Sequence, residues 1–175
     1  MTHCLAALLF DLGDTLMIEE SEEKDEEGTT LHADLIPGAG EMLRLFKQRG
    51  YCLALVADSR PLTPPNVLRQ HGLYDLFDYL SISEVVGASK PTPLIFTLAL
   101  DALGIARARY GSVVMVGNNL ERDVAGANRL GLISVFFHWN DRRRCEPLSD
   151  DEQPDYTVHS PAELVELIDR LDSRR

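Results

Sequence analysis

Polar side chains form four short clusters along the sequence, each beside an apolar run. Asp11 follows "LLF", Ser59 lies in "ADSR", Asn118 and Asp123 lie in "GNNLERD", and Lys90 precedes an apolar helical pattern. Acidic and amide oxygens can ligate a metal ion, and a carboxylate can attack a phosphoryl group if cations offset the repulsion between anions. The clusters predict a functional site, provided that the fold brings them together.

An alternation of strand and helix patterns predicts a fold that could do so. Buried strands are predicted at Leu5–Phe10 and Tyr51–Ala57. Further strands are predicted at Asp78–Ile82, which is short, Ser112–Gly117 and Leu132–Phe137. Helices are predicted at 37–50, Pro64–Gly72, Lys90–Gly104, Leu120–Gly131 and, after a last short strand and the cap Ser160, from Pro161 onward. This order predicts one α/β domain over residues 1–175, with a doubly wound parallel sheet in three layers. Ligands bind such sheets beyond the carboxyl ends of the strands, where the clusters fall.

The overall charge bears on possible partners. The 175-residue chain has a formal net charge of −11 and a pI of about 4.8, so most of its surface should repel a polyanion. The only basic candidate is "RRR" at 142–144, which is flanked by Asp141 and Glu146 and is interpreted as a solvated loop. We therefore expect no nucleic-acid partner.

Cysteine usage and hydropathy bear on the compartment. Cys4, Cys52 and Cys145 are widely spaced and form no Cys-x-x-Cys pair, which favours reduced thiols over a disulfide framework or a zinc site. No apolar run approaches the roughly 20 residues that span a bilayer, and the N-terminus lacks the pattern of a signal peptide. These features predict a cytoplasmic protein without a membrane partner.

Two polar segments interrupt the alternating pattern. Residues 19–28, "EESEEKDEEG", carry seven carboxylates and one lysine, which predicts a mobile, solvated surface loop. Residues 139–155 are polar and contain proline, which predicts a second surface loop. Because the first segment leaves the site end of the first strand, it could also act as a small flap over the site.

In order and in combination, the four clusters resemble the motifs of the haloacid dehalogenase-like (HAD) hydrolases. "FDLGDTL" is similar to the first motif, "LALVADSR" to the second, "SEVVGASKPTPLIF" to the third and "VVMVGNNLERDVAGANRLG" to the fourth. The resemblance covers essentially the whole chain. It implies a Rossmann-like HAD core and a Mg²⁺-dependent phosphohydrolase, a phosphomonoesterase that forms an aspartyl-phosphate intermediate.

The resemblance also implies roles for individual residues. Asp11 would be the nucleophile, the backbone carbonyl of Gly13 would be a Mg²⁺ ligand, and Lys90 would pair with Asp11 and with the phosphate. Asn118 and Asp123 occupy the positions that complete the metal site.

Three positions depart from the family pattern. Gly13 replaces the usual acid–base aspartate, Ala57 replaces a phosphate-binding Ser or Thr, and Asn118 replaces a metal-binding aspartate. Ser59 is the candidate phosphate ligand in place of Ala57. The lost charge at Asn118 predicts weak Mg²⁺ binding. A missing general acid, worth about 10²–10⁴ in rate, predicts an enzyme that is slow or selective for good leaving groups.

Asp14 is the candidate catalytic replacement for the missing acid. The glycine before it could let the turn rotate and bring its carboxylate into the site. Against this, adjacent side chains in an extended segment point to opposite sides. The sequence leaves both alternatives open.

The spacing of the motifs bears on the substrate. The gaps between the first three motifs are too short for a cap domain, which predicts a capless subtype with an open site. Such a site suits a phosphorylated macromolecule, a phosphorylated small molecule bound with low selectivity, or a homo-oligomer whose partner subunit shields it. The three departures support an alternative, a non-catalytic or regulatory HAD-fold protein that binds phosphate or a protein partner. A third option, a phospho-accepting receiver domain, explains "GNNLERDVAGAN" poorly.

Overall fold

The computed structural model describes residues 4–173. Within these residues the strands are β1 Ala7–Phe10, β2 Glu23–Lys24, β3 Thr30–His32, β4 Leu53–Ala57, β5 Tyr79–Ile82, β6 Val113–Gly117, β7 Ile133–Phe137 and β8 Tyr156–Val158. The α-helices are α1 Ala39–Gln48, α2 Thr63–Gln70, α3 Ser83–Val86, α4 Pro93–Ala102, α5 Ala125–Leu130 and α6 Pro161–Asp172. No helix in this part of the chain is long and apolar enough to cross a bilayer.

Six of the strands form one parallel sheet in the order β5-β4-β1-β6-β7-β8. Phe10, the last residue of β1, is aligned with Leu55 of β4 on one side and with Val116 of β6 on the other. From β1 the chain builds outward through β4 to β5 and then crosses to β6, so the strand order reverses at β1. The predicted doubly wound parallel sheet is confirmed, and β1 lies at its centre.

Helices cover both faces of this sheet, because successive side chains of a strand point to opposite sides. Leu8 and Phe10 belong to the core that α1, α2 and α6 cover, whereas Ala7 and Leu9 belong to the core beneath α4 and α5. Every residue of β1, β4 and β6 is buried, as expected for central parallel strands. The two cores hold the strand ends, and therefore the site, in fixed positions.

Two predicted helices begin later than their sequence patterns suggest, and both differences concern the site. The helix predicted from Leu120 opens with one π-turn, Leu120–Val124, before α5 begins at Ala125. The helix predicted from Lys90 begins at Pro93. Before α4 the backbone N–H of Lys90 donates to Asp58 Oδ1, and before α5 the backbone N–H of Asn119 donates to Asp123 Oδ2.

The acidic segment differs from the mobile loop predicted at 19–28. Glu19–Ser21 form a 3-10 turn, and β2 pairs with β3 in an antiparallel hairpin. The hairpin is docked on α2, because the backbone N–H of Thr30 donates to Thr63 Oγ1 at 3.0 Å and Asn66 Nδ2 donates to Thr30 O at 2.9 Å. The second polar segment, 139–155, is irregular apart from a 3-10 turn at Asp150–Glu152.

Candidate active site

A cavity of about 520 Å³ opens at the carboxyl ends of β1, β4 and β6. It lies where the strand order reverses, the usual place for a ligand in a doubly wound sheet. The fold brings six of the predicted site residues to its wall: Asp11, Gly13, Ser59, Lys90, Asn118 and Asp123. Asp14 is not among the residues that line it.

Lys90 connects the first and fourth motifs at the floor of the cavity. Its Nζ lies 2.6 Å from Asp11 Oδ1 and 2.7 Å from Asp123 Oδ1. The Lys90 side chain is 2% exposed, and its backbone N–H donates to Asp58 Oδ1 at 2.9 Å. Asp58 directly follows β4, so the second motif fixes the third. We call Asp11, Lys90 and Asp123 the inner cluster.

Burial and charge oppose each other in the inner cluster. Burial alone would lower the pKa of the Lys90 ammonium, but Asp11, Asp123 and Asp58 outweigh it and raise that pKa above its usual value. Burial raises the pKa of the Asp123 carboxyl, and the ammonium of Lys90 opposes this rise. Lys90 therefore keeps a positive charge beside Asp11, where an anionic group could be received.

The position of Asp123 depends on the π-turn that contains it and on Gly117, whose lack of a side chain leaves room for the carboxylate. Its Oδ2 accepts a hydrogen bond from the backbone N–H of Asn119 at 3.0 Å, while its Oδ1 pairs with Lys90. A Cβ on Gly117 would lie 2.6 Å from the Cβ of Asp123, so only glycine leaves room there. With both oxygens engaged, Asp123 is better placed to hold Lys90 than to ligate a metal directly.

Asn118 has the property expected of a metal ligand. It follows β6, is 6% exposed and lines the cavity. Its Oδ1 is buried and has no hydrogen-bond partner among residues 4–173. A buried carbonyl-type oxygen without a partner is unfavourable unless a ligand or cation satisfies it. Together with the Asp11 carboxylate, Asn118 thus fits a hard cation such as Mg²⁺.

Ser59 reaches the cavity next to a serine that the sequence analysis missed. The backbone N–H of Ser59 donates to Ser83 Oγ at 3.0 Å, and its own hydroxyl donates to Arg60 O at 3.3 Å. Ser83 comes directly after β5 and also lines the cavity. Its position at a strand end is the same signal that identified Asp11, and it could have been used for Ser83.

Asp14 is buried beside the cavity, with both carboxylate oxygens engaged. It has a φ of 47°, the left-handed conformation that Asp and Asn adopt more readily than most residues, and is 1% exposed. Its Oδ1 accepts the backbone N–H of Glu19 at 3.1 Å, and its Oδ2 lies 3.0 Å from Arg142 Nε. The acid–base role remains a prediction, and the geometry favours a structural role.

The basic run 142–144 lies in an irregular, partly exposed loop, as predicted, and its side chains also make ion pairs beside the cavity. Arg142 contacts Asp14, and Arg143 Nη2 donates to Glu19 Oε1 at 2.7 Å. Arg142 Nη2 lies 3.3 Å from Glu19 Oε2. We call Glu19, Arg142 and Arg143 the outer cluster; Glu19 and Arg143 both line the cavity.

Among residues 4–173, no group of three or more His, Cys, Asp or Glu side chains is arranged to hold a metal ion. A metal in this cavity would therefore depend on amide or backbone oxygens as well as carboxylates. Asn118 supplies such an oxygen, and the weak Mg²⁺ binding expected from the sequence remains a prediction.

The fold and the inner cluster define a doubly wound α/β protein with a paired carboxylate at the switch point of its sheet. Residues 5–131 match the sequence model of the haloacid dehalogenase-like hydrolases. The match covers more than half of the chain, so the chain belongs to the haloacid dehalogenase-like hydrolase family, as its motifs predict.

Several relatives and solved structures that resemble this chain are named as phosphatases. The chain is 31% identical over 140 residues to a glyceraldehyde 3-phosphate phosphatase of Methanopyrus kandleri, covering 80% of this chain and 57% of the relative. It is 32% identical over 138 residues to a ribulose-1,5-bisphosphate 5-phosphatase of Halopiger xanaduensis, covering 77% and 56%. The chain thus spans a little over half the length of these relatives. A HAD phosphatase structure from Thermococcus onnurineus superposes with a TM-score of 0.76 at 21% identity, covering 94% of this chain and 98% of the other, which shows a shared fold.

Proposed function

We propose that this protein is a Mg²⁺-dependent phosphomonoesterase that transfers a phosphoryl group to Asp11 before water releases it. The observation that carries the proposal is the 2.6 Å contact between Lys90 and Asp11 in an open cavity. A carboxylate can attack an anionic phosphoryl group only when nearby cations offset the repulsion. The phosphatase names of the relatives support the same reaction.

The proposed reaction has two steps. An Asp11 oxygen attacks phosphorus as the bond to the leaving oxygen breaks, and water then hydrolyses the aspartyl-phosphate. Lys90 stays paired with Asp11 and balances the charge of the phosphoryl oxygens, while Asp123 holds Lys90 in place. Ser59 lies on the cavity wall, where its hydroxyl could turn to a phosphoryl oxygen.

Mg²⁺ would be held by the Asp11 carboxylate, the backbone carbonyl of Gly13 and Asn118 Oδ1, with Asp123 behind them. When bound, the ion would neutralise charge on the phosphoryl oxygens. The support for this site is the buried Asn118 oxygen without a partner in residues 4–173. Because Asn118 brings no negative charge, we expect the affinity to be low until phosphate completes the shell.

The cavity supports a phosphorylated small molecule as the substrate. Its volume of about 520 Å³ lies within the range of roughly 300–1,000 Å³ for small-molecule pockets. Arg143 lines it, and the buried Nε of this side chain has no hydrogen-bond partner in the described part of the chain. A second anionic group of the substrate could bind there. A homo-oligomer that shields the site remains a prediction, as does a cytoplasmic location.

Replacement of the nucleophile tests the proposal. Asp11→Asn has nearly the same size but a poor nucleophile, so it should abolish release of nitrophenolate from p-nitrophenyl phosphate in the presence of Mg²⁺. Circular dichroism should be unchanged, and Asp75→Asn, an exposed substitution away from the cavity, should keep full activity. Wild-type turnover in Asp11→Asn would refute the assigned chemistry. Phosphate binding without any turnover in the wild type would favour the alternative, a non-catalytic phosphate-binding protein.

A further inference from the structure

Glu19 fills the space that a side chain at position 13 would occupy. A Cβ built on Gly13 would touch Glu19 Oε1 and would lie 2.9 Å from its Cγ and 3.0 Å from its Cδ. These separations are too short for ordinary contacts. Gly13 is also not one of the glycines with a positive φ, so its backbone conformation does not require glycine. In this structure the carboxyl group of Glu19 therefore occupies the space beside Gly13.

Three contacts hold Glu19 beside Gly13, two of them through its carboxylate. Its backbone N–H donates to Asp14 Oδ1 at 3.1 Å, its Oε1 accepts from Arg143 at 2.7 Å, and its Oε2 lies 3.3 Å from Arg142. The side chain is 21% exposed and lines the same cavity as Asp11. An ionised carboxylate offers about four lone-pair sites, so two remain for a group in the cavity.

We propose that Glu19 is a further catalytic residue, which accepts a proton from the water that hydrolyses the aspartyl-phosphate. This inference rests on the proposed function, because it requires a phosphoryl group on Asp11. The chain has no carboxylate at position 13, and the acidic segment supplies one to the same place from six residues further on. Arg143 and Arg142 hold the Glu19 carboxyl group at the cavity wall, where it can meet a water molecule bound in the cavity.

Hydrolysis of the aspartyl-phosphate consumes one water molecule. A water oxygen forms a bond to phosphorus as the bond between phosphorus and the Asp11 oxygen breaks. One proton of this water passes to Glu19, and the other stays on the product, which leaves as hydrogen phosphate. Asp11 returns to the carboxylate form, and Glu19 then releases its proton to solvent. The preceding transfer to Asp11 takes no proton from Glu19, so a preference for good leaving groups is still expected.

Rapid-mixing kinetics with p-nitrophenyl phosphate and Mg²⁺ test this role. Glu19→Gln keeps the size of the side chain and an oxygen for Arg143, but it cannot accept the proton. It should release about one nitrophenolate per site in a burst and then turn over roughly 100-fold or more slowly than the wild type, with phosphorylated Asp11 recovered after acid quench. Glu20→Gln is the matched control, since Glu20 also contacts Arg142 but does not line the cavity, and it should behave as wild type.

A double variant tests the position of the carboxylate independently. Removing the Glu19 side chain frees the space beside Gly13, so Gly13→Asp combined with Glu19→Ala should dephosphorylate at least tenfold faster than Glu19→Ala alone. Hydrolysis of the phosphoenzyme at the wild-type rate in Glu19→Gln would overturn the role of Glu19 and leave the proposed function intact. Failure to detect phosphorylated Asp11 in every variant would overturn the proposed function, and this inference with it.

Discussion

The inner and outer clusters border the same cavity but differ in how deeply their charged side chains are buried. In the inner cluster the side chains are between 1% and 13% exposed and lie at the ends of central strands or beside them. In the outer cluster they are between 21% and 37% exposed and join the acidic segment to the basic run more than a hundred residues later. The inner cluster is part of the core, whereas the outer cluster joins two distant segments at the surface.

This difference in burial predicts a rigid inner cluster and an outer cluster whose contacts can rearrange. Charges in the inner cluster have little access to water, so losing one partner leaves the others unpaired and buried. Charges in the outer cluster are partly solvated and screened by salt, so their contacts can exchange at low cost when a ligand enters. We therefore expect the inner cluster to determine folding and phosphoryl transfer, and the outer cluster to affect the later hydrolytic step.

The largest effect is expected from Lys90→Met, which would break the inner cluster. Asp11 and Asp123 would then face each other without a cation, and loss of one partner of a buried pair costs about 3–5 kcal/mol. Urea denaturation should show a fall of this size in the free energy of unfolding, together with loss of phosphatase activity. Lys47→Met removes the exposed pair with Asp78 and should cost only about 1 kcal/mol or less. Equal effects of the two substitutions would contradict the distinction between buried and exposed charge.

The inner cluster could be predicted from sequence because the motifs that contain its members adjoin predicted strands and helices. Apolar runs predicted the strands, parallel strands end at one edge, and Asp11 and Asn118 directly follow two of those ends. The same logic predicted the sheet but not the details of helix starts. The π-turn before α5 carries a local hydrogen bond from the Asn119 N–H to the Asp123 carboxylate, which the 3.6-residue pattern does not indicate.

An intermediate effect is expected from Asn118→Asp, which tests whether a metal ion binds beside the inner cluster. The substitution adds a negative charge where a buried oxygen has no partner in residues 4–173, so Mg²⁺ should bind about tenfold more tightly, a difference of roughly 1.4 kcal/mol. Isothermal titration calorimetry measures this directly. Asn119→Asp is the matched control, because the Asn119 side chain already accepts the N–H of Arg122 and should gain much less. Unchanged affinity in Asn118→Asp would remove Asn118 from the metal shell.

The outer cluster could not be predicted because its partners have no common sequence pattern. The acidic segment and the basic run each read as solvated, and only the complete fold brings Glu19 to Arg143. For the same reason, the sequence indicated only that Gly13 replaces the usual acid–base aspartate. A sequence records that position 13 has no side chain, but not that a side chain from position 19 occupies its volume.

The smallest effect is expected from substitution of Asp14, the residue that could either replace the missing acid or position Glu19. Asp14→Ala removes the acceptor for the Glu19 N–H and the partner of Arg142, so Glu19 should be held less firmly. Hydrolysis of the aspartyl-phosphate should slow by about tenfold or less, in line with one hydrogen bond of roughly 0.5–1.5 kcal/mol. The preceding burst should be unchanged, because Asp14 does not line the cavity.

Asp14→Asn then decides whether Asp14 positions Glu19 or transfers a proton itself. Asparagine tolerates the left-handed conformation at this residue and keeps an oxygen for the Glu19 N–H, so a positioning residue should survive this change with nearly wild-type kinetics. A proton donor would not survive it, because the amide cannot protonate a leaving alkoxide. Selective loss of activity towards alkyl phosphates in Asp14→Asn, with aryl phosphates unaffected, would therefore assign the acid to Asp14. Comparison of the two substrates in the two variants separates these roles, since only positioning predicts that Asn is tolerated and Ala is not.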